Sequence, residues 1–329
     1  MSKTKTQNMN IFQIFFKSCK IYLKNFIPLS KAMLFPVFGQ LIGVILILYP
    51  TFIISKNLPK ILSIEVITQN IILIYLGLLV ITLPGFFVFT KAFWDYMIAM
   101  VSLNSMILNI LKQGFLKDIQ VHTRLIKLRS KEYIILLMLL SLIWLAGLLF
   151  PIITTLILFK NPVMVLALYF LSGLALAIIS IYLSLSFQVF AFENISPVKM
   201  LKRSWELVEG NFWRIFLMIV ATFIVTTMLI PVIFQAIIEK TPLMTLIIYP
   251  FKSYVALISD PGNISQILQS TKMGILSKIG DPVFEISKIL ALSTVSIIIT
   301  AFMLPFGSAC FTLLYFDITT RKSLKSKKK

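Results

Sequence analysis

An all-α, polytopic membrane fold, with six transmembrane helices and amphipathic interfacial helices on the cytoplasmic surface, is predicted by three observations. Hydrophobic residues make up 58% and charged residues only 13% of the chain, far from the roughly half-apolar, quarter-charged average of soluble domains. Mean hydropathy is +0.95. The charges lie mostly between six uncharged runs of 24 to 32 residues, each long enough to cross about 30 Å of hydrocarbon at about 1.5 Å per helical residue. A net charge of +19 would suit nucleic acid only as a basic face on a soluble fold. Here the cations punctuate apolar spans, so the expected partners are membrane lipids or a membrane protein partner, with no nucleic acid.

The chain reads as a single integral membrane domain over residues 1–329. Its polar first residues, MSKTKTQNMN, lead into an amphipathic segment without an apolar core and small-residue cleavage site, so no signal peptide is expected. Residues 9–26 form the first interfacial helix, with Ile11, Phe15, Cys19, Tyr22 and Phe26 along one side and Lys17, Lys20 and Lys24 off it. Spans follow at about 32–55 and 68–92, the second continuing as a helix to about Leu111. A basic amphipathic connector at 115–131 precedes spans at 133–159 and 163–192. Residues 197–209 form a third interfacial helix, and the last spans are 214–238 and 288–316. Residues 243–258, interrupted by Pro250 and Lys252, read as interfacial or re-entrant, a seventh span being the lesser option.

The helix at 197–209 has explicit punctuation. Ser196 can cap it by accepting a hydrogen bond, and Pro197 suits the first helical position. Val198, Leu201, Trp205 and Val208 make one apolar stripe, with Lys199, Lys202, Arg203, Glu206 and Glu209 largely opposite. Gly210 supplies a left-handed C-cap residue, Asn211 can cap the next helix, and Phe212 and Trp213 are interface-favouring aromatics. Lys17-Ser18 through Asn25-Phe26 aligns without a gap to Arg203-Ser204 through Asn211-Phe212. Two related halves, or chance recurrence in a low-complexity sequence, would both give this match.

Glu193 followed by SPVKMLKRSWELVEGNFW resembles the signature of the membrane domain attached to some bacterial glycerophosphodiester phosphodiesterases, and of related stand-alone, uncharacterised inner-membrane families. LLYFDITTRK at 313–322 is similar to the tyrosine, aspartate and arginine pattern that closes the last helix in those families. The resemblance covers roughly a quarter of the chain and implies a multi-spanning fold in the bacterial inner membrane.

Orientation follows from Lys and Arg on alternate sides: one side collects 22 and the other eight, with Lys91 on neither. Both termini are therefore expected in the cytoplasm. The spans contain Pro36, Pro50, Pro84, Pro151, Pro231 and Pro305, which fits kinked helices around a cavity or simply the frequency of proline in membrane helices. Gly39 with Gly43, and Gly173 with Ala177, suit close helix packing.

No enzymatic activity and no cofactor or metal site is expected. No Asp, Glu, Lys, Arg or His lies near the centre of a span, which argues against a pump. There is no P-loop, GxGxxG, HExxH or GxSxG, and no room for the soluble barrel that carries phosphodiesterase activity in the resembling fusions. His122, the only histidine, reads as a solvated interfacial residue. Gln40, Asn104, Gln188 and Gln235 read as interhelical hydrogen-bonding groups. The candidate structural or headgroup-contacting residues are Glu193, Arg203, Trp205, Asp317 and Arg321: Glu193 or Asp317 is expected to accept a guanidinium, Arg203 and Arg321 being the candidates, and Trp205 to anchor its helix. The leading function is a non-catalytic membrane module that organises or handles lipid or an envelope partner; the alternative is a transporter or channel for a small or amphipathic solute.

Overall fold

The computed structural model describes residues 9–61, 70–114, 116, 118–158, 161–258 and 282–326. Among them every regular element is helical and there is no strand. In order these are α1 (Ile11–Lys24), α2 (Phe26–Ile61), α3 (Ile71–Gln113), α4 (Ile119–Leu128), α5 (Ser130–Leu158), α6 (Pro162–Leu183), α7 (Ser186–Phe192), α8 (Pro197–Val208), α9 (Phe212–Phe223), a π-helical turn (Ile224–Leu229), α10 (Ile230–Glu239), α11 (Leu243–Ile258) and α12 (Pro282–Ser326). Six stretches among the described residues are long and apolar enough to span a membrane: Phe26–Pro50, Ile72–Gln113, Ser130–Leu156, Pro162–Phe192, Phe212–Glu239 and Phe284–Leu324. The protein is thus an all-α, multi-pass membrane protein. α3 runs on to Gln113 as a single helix, as its sequence pattern predicts. α11 is a continuous 16-residue helix through Pro250, shorter than any of the six.

The chain divides into two compact units. The first comprises Met1–Ala32, Met97–Phe223 and Leu304–Lys329, and holds α1, α4 to α9 and the ends of α3 and α12. α1 starts on a capping box: the Asn10 side chain bonds the helix N-terminus while Gln13 reaches back to the Asn10 amide. Asn25 ends it, and its side-chain amide donates back to the Ile21 carbonyl. The buried side is Ile14, Ser18 and Tyr22; of the apolar side read from the sequence only Tyr22 is buried, with Ile11, Phe15 and Cys19 half-buried and Phe26 exposed. Small Ser18 can be buried because its hydroxyl donates to the Ile14 carbonyl, leaving no polar atom unmet.

In α8 the buried side is likewise offset from the apolar stripe. Its buried residues are Met200, Ser204, Leu207 and Val208, while Val198 and Trp205 of the predicted stripe are exposed. Ser204, buried, donates to the Tyr182 carbonyl of α6, so a small polar residue lets the helix approach the bundle. Ser196 stands at the N-cap but its side chain makes no capping bond, a correction to the predicted cap; Pro197 follows at the first position. Gly210 is left-handed at φ 78°, as the turn requires. Asn211 donates its side chain back to the Leu207 carbonyl, while its own carbonyl accepts from the amides of Arg214 and Ile215 and so starts α9. The equivalences continue beyond the aligned sequence: Asn10 and Ser196 are both N-caps, and Ile14/Met200, Ser18/Ser204, Tyr22/Val208 and Leu29/Ile215 are all buried.

The second unit comprises Met33–Tyr96 and Ile224–Met303. Within it Gly39 and Gly43 do pack closely: a Cβ on Gly43 would stand 2.6 Å from the Phe89 backbone, and one on Gly39 would stand 2.8 Å from Ala92. Gly173, in the first unit, has nothing within 4 Å of such a Cβ, so no neighbouring helix packs closely on it as the Gly173 and Ala177 spacing would allow; Gly147 takes that role against Leu176. Pro231 follows the π-helical turn, where the register slips to admit a residue that cannot donate, and the Thr300 hydroxyl reaches the Thr226 carbonyl. The other prolines within described helices leave them unbroken. Gln235 donates to the Leu292 carbonyl and to Ser296, and Lys288 pairs with Glu239 at 3.0 Å, fastening α10 to α12.

Candidate functional site

Four of the five singled-out residues, Glu193, Arg203, Asp317 and Arg321, gather where α7, α8 and α9 meet the end of α12, while Trp205 lies against α6, all within the first unit. The α12 sequence places Tyr315, Asp317 and Arg321 within two turns, and Asp317 to Arg321 is an i,i+4 pair. Asp317 is the deepest charge, its side chain 1% exposed. One carboxylate oxygen lies 2.9 Å from Arg321 Nε and 2.8 Å from Arg214 Nη2; the other accepts the Met9 amide at 3.1 Å. The Met9 carbonyl in turn accepts from both guanidiniums, at 3.1 Å from Arg321. Two arginines and one aspartate thus hold both backbone polar groups of Met9, the residue before the α1 N-cap. Arg214 Nε, buried in this cluster, has no hydrogen-bond partner.

Glu193, directly after α7, accepts the Tyr315 hydroxyl at 2.6 Å and Arg203 Nε at 3.2 Å. Arg203 also lies 3.5 Å from Glu206. Burial works against the Arg203 cation, but the carboxylate of Glu193 outweighs it, and the guanidinium is held above its ordinary range. The Glu193 and Phe190 carbonyls accept from Arg129, whose guanidinium lies 4.5 Å from the Phe190 ring centre and pairs with Glu132 at 2.9 Å. Lys322 donates to the Glu206 carbonyl of α8 and Tyr315 to Glu193 just after α7, so the end of α12 is bonded to the ends of both these helices. Trp205 stacks on Tyr182 at 4.1 Å between ring centres yet remains 42% exposed, so it touches the bundle with one face only.

Sequence reasoning offered Arg203 and Arg321 as partners for Glu193 or Asp317 without assigning which to which; the structure sets Arg203 against Glu193 and Arg321 against Asp317. It missed Arg214, Arg129, Tyr315 and Met9 as partners. The available signals were an arginine at the very head of an apolar span and another beside Glu132 at the foot of one, positions where a cation without a carboxylate is costly.

His122 is a correction. It is buried, not solvated, because α4 lays it against α3: Nδ1 is 2.8 Å from the Ser105 hydroxyl and Nε2 is 3.2 Å from the Asn109 amide nitrogen. If Asn109 donates, Nε2 accepts and Nδ1 carries the proton, the neutral ring being fully used. Burial lowers the His122 pKa, opposed more weakly by Asp118. A buried trio completes the inventory: Asn104 Oδ1 accepts from Thr312 at 3.2 Å and from Gln188 at 3.4 Å, while Gln188 Oε1 has no partner. An open groove of about 450 Å³ lies between the α1–α2 junction and the start of α4, lined by Ile27, Pro28, Lys31, Leu116, Asp118, Ile119 and Gln120. Among the described residues no three His, Cys, Asp or Glu side chains are grouped to hold a metal.

These features define a multi-pass membrane protein whose helix ends are fastened by ion pairs on α8 and α12. A family model described as a domain of unknown function, DUF7847, matches residues 126–318, more than half of the chain, and the protein belongs to that family. The matched range contains Glu193, Arg203, Trp205, Arg214 and Asp317, while α1 and Arg321 lie outside it. No curated protein and no solved structure matches the chain.

Proposed function

We propose that the protein is a non-catalytic membrane module that organises or handles lipid, or an envelope partner, in the bacterial inner membrane with both termini in the cytoplasm. The observation that carries this reading is the groove beside the surface helices. Ile27, Pro28, Leu116 and Ile119 give it apolar walls, and Lys31, Asp118 and Gln120 add polar groups at the same mouth. That mixture suits a molecule with an acyl chain and a headgroup better than a wholly polar solute. The 22-to-eight distribution of Lys and Arg supports the orientation, and the resemblance of residues 193–213 to inner-membrane families supports the compartment.

The test is mass spectrometry of lipids that co-purify with the detergent-solubilised protein, for the native chain and for Gln120→Trp, which fills the groove. Stoichiometric lipid that is lost in the variant is the expected result. Absence of retained lipid in both would refute the reading. Transport of a small or amphipathic solute is the second reading, favoured by the unpaired Gln188 oxygen beside Asn104 and Thr312. Solute flux into proteoliposomes that is abolished by Gln188→Leu would establish it in place of the first.

A further inference from the structure

α1 and α8 are built on one three-faced plan. On α1 the faces are buried Ile14, Ser18 and Tyr22; exposed apolar Phe12 (71%), Phe16 (69%) and Leu23 (66%); and exposed Gln13, Lys17, Lys20 and Lys24. On α8 they are buried Met200, Ser204 and Leu207; exposed Val198 and Trp205; and Lys199, Lys202, Arg203 and Glu206. At 3.6 residues per turn the faces follow one another in the same rotational sense on both helices. An amphipathic helix with one side on protein, one apolar edge free and one polar side is the arrangement of a helix lying in the headgroup region.

The two helices differ in charge. α8 sets Glu206 and its C-cap Glu209 against Lys199, Lys202 and Arg203, and Arg203 is engaged by Glu193 and Glu206. α1 has no acid at all. Its three lysines recur at i, i+3 and i+7 on one exposed stripe, and none makes an ion pair among the described residues. Like charges at such spacings weaken a helix unless an outside anion compensates them.

We propose that the outer face of α1 is a binding surface for anionic phospholipid, with Phe12, Phe16 and Leu23 against acyl chains and Lys17, Lys20 and Lys24 at the phosphate level. Long lysine stems allow this, since they lie along apolar surface while the ammonium reaches the headgroups. The inference rests on the lipid-handling reading and names the lipid class and a second contact beside the groove. Lys31, on the groove wall, continues the basic row past Asn25. Because the attraction is Coulombic and exposed, it weakens as ionic strength rises.

The test uses the full-length protein equilibrated with mixed micelles of equal phosphatidylglycerol and phosphatidylcholine, the retained lipids being quantified by mass spectrometry. Four proteins are compared: wild type, Lys17→Gln/Lys20→Gln/Lys24→Gln, the same three positions changed to Arg, and Lys199→Gln/Lys202→Gln. Removing three of 22 cations leaves the orientation bias intact. Wild type should enrich phosphatidylglycerol, and the α1 glutamine variant should lose at least about five-fold of that preference, the factor for a single basic contact. The arginine variant should retain it, which separates charge from folding, and the α8 variant should match wild type. A glutamine variant as selective as wild type, or a wild type that retains both lipids equally, would overturn the inference while leaving lipid handling standing. A wild type that retains no lipid would overturn both.

Discussion

Replacing Asp317 with asparagine tests the most buried charge in the protein. Its carboxylate meets two guanidiniums at 2.8 and 2.9 Å with 1% of the side chain exposed, so the substitution leaves two facing cations with nothing between them. An asparagine oxygen can still accept the Met9 amide, which confines the loss to charge. Removing one partner of a buried pair typically costs about 3 to 5 kcal/mol. The lower end applies here, since the Arg321 side chain is 29% exposed and can turn part of its charge to water. A cost of about 3 kcal/mol corresponds to a fall of roughly 4 °C in melting temperature for a chain of 329 residues, at about 2.1 cal/mol/K of unfolding entropy per residue. The assay is thermal unfolding in detergent by circular dichroism, with Glu206→Gln, a half-exposed acid, as the reference expected to stay within about 0.5 kcal/mol of wild type. Because Arg214 and Asp317 touch, Asp317→Asn/Arg214→Gln should cost less than the sum of the single changes. Equal melting of Asp317→Asn and Glu206→Gln would refute the claim that this cluster holds α1 to the bundle.

The other predictions concern neighbouring parts of the first unit. Trp205→Glu should lower the yield and melting temperature of folded protein more than Lys199→Glu, because Trp205 stacks on Tyr182 while Lys199 is exposed; equal behaviour would show that the stack adds nothing. Tyr315→Phe removes one of two donors to Glu193 and should cost about 1 to 2 kcal/mol in the same unfolding assay, whereas an unchanged midpoint would mean Arg203 alone suffices. His122 has its pKa lowered by burial, so the unfolded chain takes up a proton first as the pH falls below about 6.5. Its stabilising contribution is therefore full above that value and declines below it. The melting temperature should drop from pH 7.5 to 5 more steeply in wild type than in His122→Gln, and identical slopes would contradict the buried neutral ring. Cysteines at Arg124 and Lys202 should react with an impermeant thiol reagent only from the cytoplasmic side and one at Asn161 only from the other, in a background without Cys19 and Cys310; labelling of Asn161 and Lys202 from one side would break the topology.

The spans were legible because length and hydropathy need no tertiary information, and 24 uncharged residues suffice to cross the hydrocarbon. Glu193–Arg203 and Asp317–Arg321 were legible for a related reason: each pair is close in sequence, and an acid at the foot of a span calls for a nearby cation. Arg214 was not, since no periodicity links it to Asp317 and only the packing of α9 beside α12 joins them. His122 was misread because its partners, Ser105 and Asn109, lie on another helix, so nothing in the local pattern marks it as buried. The apolar stripes of α1 and α8 left open whether they meet lipid or protein, and the structure divides them for a physical reason. In a membrane the most apolar stripe can face lipid, and the bundle instead takes the side carrying Ser18 and Ser204, small residues whose hydroxyls find backbone carbonyls.

Lipid binding in the groove is most directly tested by photo-crosslinking after solubilisation, with benzoylphenylalanine at Ile119 on the groove wall and, as a control, at Leu145 on the exposed surface of α5. Detergent strips loosely held annular lipid, so the account predicts a phospholipid adduct at Ile119 that survives detergent exchange and an adduct at Leu145 that does not. Adducts lost equally from both positions, or none at Ile119, would contradict it.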